Sequence, residues 1–273
     1  MDTLRDRLWI WAHDTGSQND HYNLPGRSSM TPVEGARYLG TPNLLMVVYG
    51  DRPAPPFEPH AAPMRELKRV VWSIVGDSSS KRNDASSDLD AVLSLAGKFP
   101  NVTGAIMDDF FHPRDEQGRI GRWSPQELAG FQRRLHTAAR PLDLWTVVYM
   151  HQLDLPMAEH LAFCDVATLW TWKAGLLGEL ERSFEAFEAI APRARKVLGC
   201  YMWNYGEGTP MPLDGMKHQC ALGLEWLKAG RIEGMIFLAS CICDLGIDTV
   251  EWTREWIARV GDTLLPRPGQ ACG

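Results

Sequence analysis

Short apolar runs recur along the chain, each closed by polar residues and followed by a stretch whose apolar positions repeat roughly every 3.6 residues. Eight such units can be read. The runs are Leu8–Ala12, Leu44–Tyr49, Val70–Val75, Gly104–Met107, Leu144–Tyr149, Val166–Trp172, Val197–Trp203 and Met235–Ser240. They are short and rich in β-branched or aromatic residues, which predicts strands. Thr31-Pro32-Val33-Glu34 and Ser124-Pro125-Gln126-Glu127 read as helix starts with proline in the first turn, and the second is also a capping box. The helix after the third strand starts near Ser87, and the last one carries Val250, Trp252, Trp256, Ile257 and Val260.

Strands that alternate with helices predict a parallel sheet, because a parallel crossover needs an intervening helix. Near-continuous apolar strands fit a sheet covered on its faces. Eight units within 273 residues favour closure into one α/β (β/α)8 TIM barrel over residues 1–273. The competing open, doubly wound sheet is weakened because no glycine-rich phosphate turn follows the first strand.

Charge and composition narrow the partners. The net charge is −6, so the chain lacks a basic footprint for nucleic acid or an anionic membrane. The first residues show no signal-peptide pattern, and no run approaches the roughly 18 apolar residues of a membrane span, so a soluble, cytoplasmic protein is expected. Six cysteines without a CxxC spacing read as reduced thiols, mostly buried, and neither a metal nor a cofactor is expected. The eleven tryptophans are a stronger clue, since several fall at predicted strand ends.

A barrel of this kind places its chemistry at the C-terminal ends of its strands. Those ends carry Trp11, His13 and Asp14; Tyr49, Asp51 and Arg52; Trp72 and Asp77; Asp108, Asp109 and His112; Tyr149, His151 and Gln152; Trp170, Trp172 and Lys173; Trp203, Asn204, Tyr205 and Glu207; and Asp244. Carboxylates and amides can bind sugar hydroxyls, and aromatic rings can cover sugar C–H faces. A small-molecule carbohydrate substrate is therefore expected.

Asp108-Asp109 ends an apolar strand and is the strongest local signal. Adjacent strand residues point to opposite faces, so only one of the two is expected to project straight into the barrel mouth. Glu207, in Tyr205-Gly206-Glu207-Gly208, is the natural second carboxylate from the seventh strand. Two carboxyls on opposite sides of a barrel could flank a glycosidic bond, one as acid and the other as nucleophile or base. Trp11, His13, Asp14, Tyr49, His151, Trp172, Lys173, Trp203, Asn204 and Tyr205 are the expected substrate contacts. His13 and His151 are open as acid/base groups, as metal ligands or as donors to substrate hydroxyls, and a strand-end histidine is more often a hydrogen-bonding residue than a ligand.

The segment Ile106-Met107-Asp108-Asp109-Phe110, the aromatic ends of strands six and seven, and Glu207 together resemble the glycoside-hydrolase-like TIM barrels. That resemblance implies O-glycosyl hydrolysis with Asp108 or Asp109 and Glu207 as the catalytic carboxylates. The sequence departs from the large retaining clan, which ends strand four with Asn-Glu, and lacks the repeated-Asp signature of chitinase-like barrels. Two other readings stay open. Lys173 ends strand six, where aldolases of this fold carry a Schiff-base lysine, and a catalytically silent barrel could simply bind carbohydrate. A metal-dependent sugar isomerase would need more convergent ligands than these strand ends supply.

Overall fold

The computed structural model describes residues 2–82 and 87–265. Eight parallel strands close into a barrel: β1 (Leu8–Ala12), β2 (Asn43–Met46), β3 (Arg69–Val75), β4 (Val102–Met107), β5 (Asp143–Tyr149), β6 (Val166–Trp170), β7 (Arg195–Tyr201) and β8 (Gly234–Leu238). Each strand pairs with its sequence neighbours, and β8 pairs with β1 to complete the ring. The outer helices are α1 (Pro32–Leu39), α2 (Glu58–Ala61), α3 (Leu89–Lys98), α4 (Pro125–His136), α5 (Ala158–Leu161), α6 (Leu180–Ile190), α7 (Leu213–Lys228) and α8 (Asp248–Val260). The (β/α)8 TIM barrel expected from the alternating pattern is the fold observed.

Local chemistry accounts for the element ends. Ser124 accepts the Glu127 N–H while Glu127 accepts the Ser124 N–H at 2.7 Å, so α4 begins with the capping box read from the sequence. Thr31 and Glu34 do the same for α1, which ends at Gly40 in the left-handed region with φ +75°. The seventh strand is shorter than its apolar run. Trp203–Asn204 leaves the barrel and pairs antiparallel with Thr209–Pro210 in a small ribbon above it. Five of the cysteines are buried free thiols, and Cys272 lies outside the described residues. Among the described residues no helix is long and apolar enough to cross a membrane.

Tryptophan fills the barrel interior. Trp9 on β1 meets Trp145 on β5 edge to face at 5.2 Å, although three strands lie between them on either side of the ring. One layer higher, Trp11 on β1 meets Trp170 on β6, also at 5.2 Å. Such pairs contribute about 0.5–1.5 kcal/mol beyond the area they bury. Four indoles fit only because neighbouring strands carry no side chain at the same level. A Cβ on Gly104 would lie 2.8 Å from the Trp145 Nε1, and one on Gly234 would lie 3.1 Å from the Trp9 Nε1. At Gly199 the added carbon would sit 2.0 Å from the Trp170 ring.

Below the tryptophans, polar groups close the N-terminal end of the barrel. Arg69 lies over the Trp9 ring at 4.5 Å and donates to the Asn43 Oδ1 at 3.0 Å, while Asn43 donates to the Leu8 carbonyl at 2.8 Å. Arg195 bridges Asp143 and Glu233. These groups stabilise the bottom of the barrel and leave the opposite end open.

Gly199→Ala is expected to destabilise the protein by about 3 kcal/mol or more, because the Trp170 indole has nowhere to retreat. Thermal unfolding should show a fall in Tm together with a changed near-ultraviolet circular dichroism of the tryptophans; an unaltered Tm would contradict the packing described.

Candidate active site

The open end holds a cavity of about 450 Å3. Its floor is the upper tryptophan pair, Trp11 and Trp170, and its walls are rings from the strand ends and the long loop after β1: Tyr22, Tyr49, Phe111, Tyr149, Trp172, Tyr201 and Tyr205. Trp172 lies nearly parallel to Tyr205, with ring centres 6.3 Å apart, and edge-on to Tyr149 and Tyr201. Apolar walls with a few convergent polar groups are the usual character of a small-molecule site.

Those polar groups are mainly acids. Asp108 continues the inward face of β4 and is 5% exposed. Its Oδ1 accepts the N–H of Asp109 at 2.9 Å, the carboxyl's only hydrogen bond among the described residues. Burial pushes the Asp108 carboxyl well above the usual carboxylate range, and the nearby charges of Asp109 and Asp77 push it further. Asp108 is thereby favoured as a neutral acid.

Asp109 also lines the cavity, contrary to the simple alternation expected of strand neighbours. The strand has ended at Met107, and Asp109 adopts φ +42°, which carries its side chain back toward the opening. Its Oδ1 accepts the Tyr149 hydroxyl at 2.8 Å and its Oδ2 accepts the Ser78 N–H at 2.9 Å. Tyr22, another cavity residue, sits at φ +54°. Left-handed backbone at bulky or β-substituted residues costs energy and clusters at functional sites.

Further hydrogen bonds tie the loops together. Asp77 accepts from the Gly50 N–H and from the hydroxyls of Ser79 and Ser80, joining the loops after β2 and β3. Gln152 accepts the Tyr149 N–H at 3.0 Å and donates to the Phe111 carbonyl at 2.9 Å, joining the ends of β4 and β5. Tyr149 is thus held at both backbone and hydroxyl. Burial raises the phenols of Tyr149 and Tyr201 far above their ordinary range, so both stay protonated and able to donate.

His13 is buried beneath the cavity wall. The Trp11 indole N–H can only donate, so the His13 Nε2, 3.2 Å away, must accept. The Nδ1, 3.3 Å from the Val47 carbonyl, must then carry the proton. Burial lowers this imidazole to about 4, so it is neutral and has no free nitrogen for acid/base chemistry. Its role is to fix Trp11. His151 is exposed at the rim and stacks on Tyr149 with ring centres 5.4 Å apart.

Of the residues singled out in the sequence, the cavity gathers Asp108, Asp109, Trp11, His13, Tyr49, His151, Trp172 and Tyr205. It does not gather Glu207, Asp14, Lys173, Trp203 or Asn204. Glu207 is exposed at the tip of the ribbon, where its carboxylate accepts from the Asn204 side chain at 2.7 Å. Gly206 docks on the Trp172 carbonyl, so the loop leans over strand six and carries Glu207 outward. Lys173 is exposed beside this loop, and no lysine lines the cavity among the described residues. Trp203 instead donates its indole N–H to the Tyr22 carbonyl at 3.0 Å, bracing the loop after β1. Asp14 and Asp244 also serve that loop, Asp14 through its backbone to Ser17 and Asp244 through the Ser29 N–H. Tyr22 and Gln18 are cavity residues the pattern of apolar runs did not mark; the one available signal was an aromatic residue inside a polar, glycine-containing loop.

No family model and no curated protein matches this sequence. Solved structures do match its fold. Active domain 2 of a chitinase from Pyrococcus furiosus superposes with a TM-score of 0.59 at 10% identity, over 97% of this chain and 99% of that one. A family 18 chitinase from Crocus vernus gives 0.53 at 10% identity, over 92% and 99%. A xylanase-A-amylase inhibitor protein gives 0.55 at 13% identity, over 94% and 98%. At these identities the likeness is one of fold, and the chain shares its barrel with glycoside-hydrolase-like structures.

Proposed function

We propose that this chain is a carbohydrate-active enzyme that hydrolyses a glycosidic bond at the Asp108–Asp109 site. The observation that carries the reading is a buried carboxyl, pushed by its surroundings toward the neutral form, beside a second carboxyl group held by Tyr149 and Ser78, both facing an aromatic-walled cavity. The Asp108 proton passes to the leaving oxygen as the glycosidic C–O bond breaks, and the bonding pair stays on that oxygen. Positive charge then builds at the anomeric carbon and ring oxygen, opposite the Asp109 carboxylate. Water adds to the anomeric carbon and gives up a proton, which restores the acid. Tyr149 positions Asp109, while Trp172 and Tyr205 offer faces for the sugar ring. Glu207 has no part in this scheme, because its side chain is committed to Asn204 outside the cavity.

A second reading, a barrel that binds carbohydrate without cleaving it, is favoured by that same displacement of Glu207. No carboxylate from β7 reaches the cavity to oppose the aspartates. In that case oligosaccharides would bind, be recovered intact, and lose affinity in Trp172→Ala. The Schiff-base reading has no lysine to begin from among the described residues that line the cavity.

Asp108→Asn and Asp109→Asn are each expected to lower kcat/KM by about 100-fold or more on any glycoside the enzyme turns over, consistent with the usual contribution of acid/base groups. A panel of 4-nitrophenyl glycosides and oligosaccharides, with circular dichroism to verify folding, checks this. Full activity in both variants would refute the proposal.

The raised Asp108 carboxyl sets two pH effects. The acid form is the active one, so activity falls as pH rises through the raised value. The alkaline limb of the kcat/KM profile should therefore lie well above the ordinary carboxylate range. A carboxyl whose folded value exceeds its unfolded value contributes stability below the unfolded value and loses it as pH rises through the folded one. Asp108→Asn should then raise Tm at neutral and alkaline pH by a few degrees, at about 2–4 °C per kcal/mol for a chain of this size, with little change in acid. Thermal scans at several pH values test it; an equal shift at all pH values would point away from a titrating Asp108.

A further inference from the structure

The cavity is one-sided in charge. Asp77, Asp108 and Asp109 line it, and among the described residues neither a lysine nor an arginine does. Of its histidines, His13 is locked neutral by Trp11 and Val47, the His151 imidazole is lowered by partial burial, and the half-buried His112 directs its Nδ1 to the Pro113 carbonyl. Arg122, whose charge bears on Asp108, belongs to the lining of a neighbouring cavity on the α4 side.

The acids differ in what they have left to offer. Asp77 has both oxygens filled by backbone and serine donors. Asp109 has one donor on each oxygen, which leaves roughly half of its acceptor capacity open. Asp108, nearly buried, has an Oδ2 with no hydrogen-bond partner among the described residues. The same cavity is lined by Tyr149, Trp172, Tyr201 and Tyr205, whose rings pack on one another edge to face or nearly parallel. Carboxylate oxygens within a cage of aromatic rings favour a cation, through charge-assisted hydrogen bonds and cation–π attraction.

Building on the carbohydrate reading above, we propose that the sugar bound in this cavity carries a free ammonium group, so that the substrate is a glycoside of a non-acetylated amino sugar. The ammonium donates to Asp109 from inside the aromatic walls. It also offsets the negative field of an acid cluster whose described lining residues include no lysine or arginine. A carboxylate-bearing sugar is rejected by the same field, and a neutral sugar leaves the open Asp109 acceptors with hydroxyl donors only.

Calorimetric titration of the full chain with glucosamine, galactosamine, their N-acetyl forms, glucose, galactose and glucuronate tests this at low and moderate salt. One of the two amines is expected to bind at least tenfold more tightly than its neutral and N-acetyl counterparts, with glucuronate not bound. The preference should shrink as salt rises and fall to near one in Asp109→Asn, with folding verified by circular dichroism. Equal or tighter binding of the neutral or N-acetyl sugars, or any preference for glucuronate, overturns the amino-sugar assignment and leaves the carbohydrate reading standing. Absence of binding by every one of these sugars overturns both.

Discussion

Four indoles inside an eight-stranded ring are the constraint on which the rest of this structure depends. An ordinary barrel interior is filled by layers of branched aliphatic side chains contributed by alternate strands. Here Trp9 and Trp145 fill one level and Trp11 and Trp170 fill the next, so a few large groups span space that many small ones would share. Gly104, Gly199 and Gly234 make that possible by offering bare backbone where each ring must lie. The upper pair then does two things at once. It ends the core and forms the floor of the cavity, which gives a bound ligand an apolar surface before any loop contributes.

Above that floor, adjacent loops are joined by the same side chains that face the cavity. Asp77 joins the loops after β2 and β3, Asp109 reaches from β4 to Ser78 and Tyr149, and Gln152 returns from β5 to Phe111. These bonds run around the rim rather than across it, so the cavity stays open while its edge is fixed. The cost is electrostatic. Burial, and after it the neighbouring charges of Asp109 and Asp77, push the Asp108 carboxyl well above the usual carboxylate range and favour its neutral form. The left-handed backbone at Asp109 is a second local cost, carried by the surrounding bonds.

The strands were legible because a parallel barrel strand is apolar along its whole length, and β1 matches its apolar run at both ends. The seventh strand was overextended for the same reason. Met202 and Trp203 continue the apolar run, yet the chain has already turned to form the ribbon with Thr209–Pro210. That turn decides the fate of Glu207, since a ribbon tip leaning on Trp172 points its side chain away from the barrel axis. A strand end can be read from hydrophobicity, but the direction of the next four residues depends on tertiary docking. Tyr22 was hidden by the converse problem: its loop has no period, and its place in the cavity comes from a positive φ and from the Trp203 indole beneath its carbonyl. His13 was placed correctly in space. Its chemistry was not legible, because the proton positions follow from Trp11 and Val47, contacts that only the folded chain makes.

The sign of the cavity also separates reaction classes. Acyl and phosphoryl transfer, and enolate chemistry, build negative charge that must meet N–H donors or cations. This cavity presents phenols, indole faces and carboxyl groups, and no lysine or arginine among its described lining residues. Such a setting stabilises positive charge, and the low local polarity strengthens that preference compared with water. A glycosidic bond breaking toward an oxocarbenium-like state develops positive charge on the sugar and needs a proton on the leaving oxygen. In the proposed reaction Asp109 and Asp108 meet those two demands in turn, and they occupy consecutive positions just past the end of β4. The division of roles proposed for them rests on a single backbone turn at Asp109, which brings the two carboxyls to the same opening with different burial.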